Sequence, residues 1–289
     1  MAELRIGTCS WKYPSWKGLV YSRGSGINYL EEYARKYETV EVDQWFWSLF
    51  GEDSVRLPSP ADVESYSRSV PKDFKFTIKV PNSVTLTHFY SKGRQGPLRP
   101  NPHFLSREVF EGFLSRLKPL KGGTGPLMFQ FEYLNKQKMA SARQFREQMA
   151  EFADGLPKTF QYALETRNGN YLNDSYFRFL LENGLVPVLL QGYWMPQITE
   201  VYRKWGGRIR DHGAVIIRLQ GADRKGIEER SGEKWNAVVD SKDDELPGIV
   251  EMIEELLDAD TDVYVNVNNH YEGSAPLTIE KIKTLLGHR

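Results

Sequence analysis

Glu41 and Glu165 each fall at or near the end of a short alternating segment, and Lys79 and Arg218 occupy similar positions in two others. Two carboxylates brought face to face, with cations near enough to hold one of them ionised, suit proton transfer on a polyol or glycoside chemistry. The same four residues could equally form Glu–Arg and Glu–Lys pairs that serve stability alone. A second signal is anionic: Arg218-Leu219-Gln220-Gly221 and Gly273-Ser274-Ala275 combine a guanidinium with backbone amides at the start of a helix, a setting that attracts phosphate. In this reading Glu41 or Glu165 is the acid/base, Lys79 an electrostatic stabiliser, Arg218 with the 273–275 amides an anion clamp, and Asn268 an orienting hydrogen-bond group.

Other chemistries are less well provided for. The chain has five histidines; His103 and His288 are assigned to helix positions away from the mouth, and His88 and His270 are the candidates there for a metal. A multinuclear zinc site needs more imidazoles than that, so no metal centre and no cofactor is expected beyond a loosely held Mg²⁺ on Glu41, Asp43 or Glu165. Cys9 is the sole cysteine, which excludes an internal disulfide and reads as a small buried filler. Gly-x-Ser-x-Gly is absent, and no Gly-x-Gly-x-x-Gly follows the first strand.

These residues must be positioned by elements, and hydrophobic periodicity supplies them. Alternation at period two marks strands at 4–9, 39–43, 74–80, 126–131, 160–165, 186–191, 214–221 and 263–268. Helical spacing marks 26–37, 60–69, 103–118, 139–154, 174–183, 196–205, 243–258 and 277–286. Strands alternating with helices pair in parallel, and eight such units in 289 residues predict α/β architecture: a single closed (β/α)8 TIM barrel over residues 1–289 with long βα loops. A doubly wound open sheet is the alternative. The loop 81–102, rich in Lys, Arg, Gly and Pro, is long enough to be functional.

With the apolar face of every strand turned to the helices, the inner column collects Glu41, Asp43, Lys75, Thr77, Lys79, Gln130, Glu165, Arg167, Gln191, Arg218, Gln220, Tyr264, Asn266 and Asn268. Most stand at C-terminal strand ends, where barrel enzymes carry their chemistry. Buried charges must pair with one another, with water or with a ligand. Trp11, Trp16, Trp45, Phe46, Tyr90, Tyr171, Trp194 and Tyr271 fall in or near the loops of that end and could stack on sugar rings or bases.

Lys and Arg total 38, as do Asp and Glu, so no global field draws the chain to nucleic acid or membrane. The local basic stretches Lys92–Arg99 and Arg203–Arg210 could still track a phosphodiester backbone. No secretory leader and no run of eighteen apolar residues is present, so a soluble, cytoplasmic protein with no membrane partner is expected.

The motifs Ile6-Gly7-Thr8-Cys9-Ser10-Trp11-Lys12-Tyr13, Val40-Glu41-Val42-Asp43-Gln44-Trp45-Phe46 and Phe76-Thr77-Ile78-Lys79-Val80-Pro81 with Thr87-His88 occur in order. Phe129-Gln130-Phe131, Glu165-Thr166-Arg167, Arg218-Leu219-Gln220-Gly221 and Asn268-Asn269-His270-Tyr271-Glu272-Gly273-Ser274-Ala275-Pro276 follow. In this series the chain resembles the YecE-like family, known as domain of unknown function 72, over essentially its whole length. The resemblance implies a TIM barrel and no settled reaction. It also implies that Glu41, Lys79, His88, Gln130, Glu165, Arg167, Arg218 and Asn268 occupy the family's characteristic polar positions. Departures from its pattern are Asp43 for Asn, Gln220 for His, Tyr171 for Trp, and Glu132-Tyr133 for Pro-Pro.

The expectation is therefore a barrel whose mouth binds a small anionic or polyhydroxylated ligand through Arg218, Asn268, Gly273, Ser274, Gln130, Arg167, His88, Trp11, Tyr13, Phe46 and Gln220. If it is an enzyme, it is a hydrolase or an isomerase or lyase acting on a sugar-like or phosphate-containing substrate. The alternatives are a nucleic-acid-binding or phosphodiester-processing protein and a non-catalytic scaffold.

Overall fold

The computed structural model of the chain describes residues 1–51, 54–90 and 97–287. Eight parallel strands close on themselves in the order β1-β10-β9-β8-β7-β6-β5-β2: β1 Leu4–Cys9, β2 Thr39–Val42, β5 Lys75–Lys79, β6 Thr124–Gln130, β7 Tyr162–Glu165, β8 Leu185–Gly192, β9 Ala214–Gly221 and β10 Asp262–Val267. The barrel predicted from alternation is thus observed, and the open-sheet alternative falls because β1 pairs with both β10 and β2. A small antiparallel hairpin, β3 Leu49–Gly51 with β4 Ser54–Val55, sits in the β2–β5 connection. Asn82 anchors it, its Oδ1 accepting from the amides of Ser48 and Leu49 at 2.8 and 3.0 Å.

The outer helices start where short polar side chains can take up free amides. Ser59 caps α2 (Pro60–Arg68), Ser106 caps α4 (Arg107–Leu117), Ser141 caps α5 (Ala142–Asp154) and Asn173 caps α6 (Asp174–Glu182). The helix read at 26–37 narrows to α1, Tyr29–Tyr33. The last three large helices are α7 (Ile198–Arg210), α9 (Leu246–Asp258) and α11 (Ala275–Leu286), and three short ones were not foreseen: α3 (Asn82–Thr85), α8 (Arg224–Ser231) and α10 (Asn269–Glu272). Alternate strand residues such as Val40, Ile78, Phe129, Leu164, Ile217 and Val265 pack outward against these helices in one continuous core.

Inside the barrel the layers differ in chemistry. Met128, Ala163, Val186, Val188, Ala214 and Ile216 form a second, enclosed apolar cluster against Tyr264. The rule that every strand turns its apolar face outward therefore fails in β8. There Val188 pairs in register with Ile216 and Leu190 with Arg218, so both point inward, and Gln191 follows Leu219 outward. Gln191 accepts from the Ile198 amide at 3.0 Å, starting α7, and donates to Glu245 at 2.7 Å. The polar inner residues are concentrated in the layer above, at the C-terminal ends of the strands. No helix among the described residues is long and apolar enough to cross a membrane.

Candidate functional site

Strands β2, β7 and β9 deliver three charges to one point on the barrel axis. Arg218 is 1% exposed, and its Nε and Nη2 donate to the two carboxylate oxygens of Glu41, both at 2.7 Å. Its Nη1 donates to Glu165 Oε2 and, at 3.3 Å, to Gln130 Oε1. Asn266 Nδ2 lies 3.4 Å from Glu41 Oε2. Burial by itself would raise the Glu41 carboxyl, but the charges of Arg218 and Lys79 and the Arg218 hydrogen bond outweigh it and hold the group below the ordinary carboxylate range. Burial also opposes the charge on Arg218, and Glu165 and Glu41 overcome it. Charges this deep persist only because each is paired and hydrogen-bonded.

Above that bridge stand two cations in matching settings. Lys79 Nζ lies 3.5 Å from Glu41 Oε1 and 5.4 Å from the centre of the Phe46 ring. Arg167 Nε lies 3.3 Å from Glu165 Oε1, and its guanidinium covers the Tyr193 ring at 4.6 Å. Their side chains are 14% and 27% exposed, so both reach the mouth, unlike Arg218. Tyr193 is held in a left-handed backbone conformation, φ 55°, directly after Gly192, and its amide donates to the Gly221 carbonyl at 3.1 Å. Strained backbone of this kind, in a residue with a Cβ, persists where packing over-determines it. Sequence reasoning missed Tyr193, although the Gly192-Tyr193 step at a strand end was the available signal.

The expected anion clamp is not assembled. Arg218 is committed to the two glutamates, and the amides of Gly273 and Ala275 donate to the Asn269 carbonyl and side chain at 2.7 and 2.9 Å. Ser274 is fully buried. The segment is instead a clasp. Glu272, fully buried and not singled out from sequence, accepts from the Lys242 amide, Lys281 Nζ and Thr278 Oγ1 at 2.8, 2.8 and 2.6 Å.

Asn268 caps α10, its Oδ1 receiving the His270 amide at 2.9 Å and facing His270 Nδ1 at 2.6 Å. His270 Nε2 in turn faces Glu228 at 3.1 Å, and Arg224 donates to the same Glu228 oxygen at 2.7 Å. Burial pushes the His270 imidazole down, against the pull of Glu228. Gln220 is buried and donates to Cys9 Sγ at 3.1 Å. Burial pushes the Cys9 thiol far up, with Glu41 adding in the same sense, so Cys9 is no ready nucleophile. His88 contacts Thr87 Oγ1 at 2.9 Å beyond the mouth strands.

Of the aromatics, Trp11, Trp16, Trp45, Phe46, Tyr171 and Tyr271 are buried, as loop core, and cannot offer open stacking faces as they stand. Tyr13 is half-buried, whereas Tyr90 and Trp194 are exposed. Lys92 and Arg94 lie outside the described residues. Arg99 covers the Phe89 ring at 4.5 Å, and Arg203–Arg210 belongs to α7, which runs away from the mouth. Glu41 and Glu165 both turn to Arg218, and among the described residues no group of three or more His, Cys, Asp or Glu side chains is placed to hold a metal ion.

An α/β barrel with a buried Glu–Arg–Glu bridge beneath a cation-lined mouth is the class these features define. The chain belongs to the family described as protein of unknown function DUF72, which it matches over residues 5–289. A DUF72 family protein of Thermotoga maritima MSB8 shares the fold with a TM-score of 0.68 at 21% identity, covering 99% of both chains. One from Enterococcus faecalis V583 does so with a TM-score of 0.67 at 19% identity, covering 98% of this chain and 95% of its own. No curated protein matches the sequence.

Proposed function

We propose that the barrel mouth binds a small anionic ligand, phosphorylated or polyhydroxylated, over the Glu41–Arg218–Glu165 bridge as its floor. The observation that carries this reading is the pair of partly exposed cations, Lys79 and Arg167, each with a glutamate beneath it and an aromatic ring beside it. Within the bridge and the two cations above it, two glutamates stand against three cations, leaving one positive charge before Asp43 is counted, in a recess where attraction is stronger than in bulk water. The half-buried Tyr193 ring beside Arg167 suits the carbon skeleton of a sugar. Glu41 and Glu165 then act as fixed counter-charges that hold Lys79 and Arg167 in place, because both are committed to Arg218.

Thermal-shift titration with phosphate, sugar phosphates and free sugars tests the reading. A phosphorylated compound is expected to raise the melting temperature of the wild type, and Lys79→Ala or Arg167→Ala to weaken its binding about tenfold or more, the scale of a charge-assisted hydrogen bond. Stabilisation that survives both substitutions would place the ligand elsewhere.

A further inference from the structure

Of the three inner-column carboxylates Glu41, Asp43 and Glu165, Asp43 is the one that the bridge does not use. The β2–β5 register runs Thr39–Lys75, Glu41–Thr77, and its next inward step sets Asp43 across from Lys79. The side chain is half-buried, and among the described residues it makes no hydrogen bond or ion pair to another residue. The groups that bear on it are Glu41 on its own strand, Lys79 from β5 and Arg218 from β9. Cys9 and Tyr13 lie around β1 and its loop, Tyr66 comes from α2, and Asp43 acts on each of these three.

Ionised Asp43 would balance the mouth: Asp43, Glu41 and Glu165 against Lys79, Arg167 and Arg218. A balanced mouth gives an incoming anion little net attraction, and it sets Asp43 and the anion in competition for Lys79. A proton on Asp43 restores the positive charge and turns the carboxyl from an acceptor into a donor. We propose that an anion entering the mouth is bound together with a proton, carried on the Asp43 carboxyl. The inference rests on the reading of the mouth as an anion site. Burial pushes the Asp43 carboxyl up from its ordinary value, with Lys79 pulling it down and Glu41 adding to the rise. In a bound ligand the Asp43 O–H can pass its proton to a ligand oxygen, leaving a carboxylate beside Lys79 that is reprotonated from solvent.

Sulfate is the probe of choice, because it does not itself titrate between pH 5 and 8. Calorimetric titration of the wild type in two buffers of unlike ionisation enthalpy should show proton uptake on binding, and affinity should rise as pH falls, by at most about tenfold per pH unit for one proton. Asp43→Asn should bind sulfate more tightly at pH 7.5, with the Asp43 share of uptake and pH dependence gone. The carboxyl ¹³C shift of Asp43 in the wild type, followed against pH with and without sulfate, gives the same answer without a substitution: sulfate should move its midpoint upward. Wild-type binding with no proton uptake, an unchanged uptake in Asp43→Asn, or an unmoved midpoint would overturn the proton coupling and leave the anion site standing. Absence of sulfate binding at any pH would overturn the anion site and the coupling with it.

Discussion

Arg218 gives this barrel its interior order, and its removal is a sharper test than removal of either glutamate. Arg218→Met leaves Glu41 and Glu165 facing each other in a fully buried layer. Breaking a buried ion pair from one side typically costs about 3–5 kcal/mol, because the abandoned charge has no water to fall back on. Replacing all three by Leu, Leu and Met removes the abandoned charges with the bridge and should recover most of that loss, since hydrophobic isosteres often match a buried ion pair. The cost should depend on pH in a fixed sense. Glu41 is held below its ordinary value of 4.5 in the folded protein, so the stability it contributes is present above that value and is lost as pH falls through the lower folded one. Urea unfolding of wild type and Arg218→Met at pH 7 and near pH 4 should show the gap narrowing in acid. A gap that stayed constant would mean that the bridge matters for packing and not for charge.

At the scale of elements, the segment from Asn268 to Pro276 looks from its composition like a binding loop, and packing makes it a clasp. Glu272 ties two separate pieces together: the 239–242 stretch before α9, through the amide of Lys242 on its side chain and those of Val239 and Asp240 on its carbonyl, and α11, through Lys281 and Thr278. Glu272→Gln keeps the shape but loses one acceptor and the charge facing Lys281, and should cost about 1–3 kcal/mol. Amide exchange at Lys242 should accelerate more than at β10, because the loop and not the barrel loses its tie. The strands of the mouth were legible where one face is polar: β2, β5, β7 and β10 put Glu41, Lys79, Glu165 and Asn266 where alternation put them. In β8 the run Val186-Pro187-Val188-Leu189-Leu190 is apolar on both faces, as a parallel strand covered by helices on one side and core on the other must be. Period two is then invisible, and the single polar residue, Gln191, was assigned to the wrong face. The clasp was illegible for a different reason: a buried glutamate and a solvated one are the same letter until the partners that surround it are known.

At the scale of the whole molecule the fold depends on closing a ring between segments remote in sequence, and the joint is uneven. β1 pairs with β10 from Leu4–Val263 to Thr8–Val267, but with β2 only through Thr8–Val40 and Cys9–Glu41. Gly7 lies at that short seam, and a Cβ on it would come within 2.0 Å of the Thr39 carbonyl oxygen. A backbone atom cannot swing aside as a flexible side chain would, so the strands themselves must part. The eight-strand pattern was legible because each strand announces itself locally, whereas the tightness of this seam depends on how the sheet curves to close. Gly7→Ala is therefore expected to cost at or beyond the upper end of the ~1–3 kcal/mol usual for overpacking. The effect should be concentrated at the seam. Protection of the Ser10 amide, which donates to the Glu41 carbonyl at 2.9 Å, should fall well before that of β9. Because β2 also carries Glu41, a parted seam shifts one arm of the Arg218 bridge and, through it, Lys79. Anion binding should then weaken in Gly7→Ala even though residue 7 lies below the mouth. If exchange instead rose evenly around all eight strands, the barrel would open as one unit and the seam would hold no special place in it.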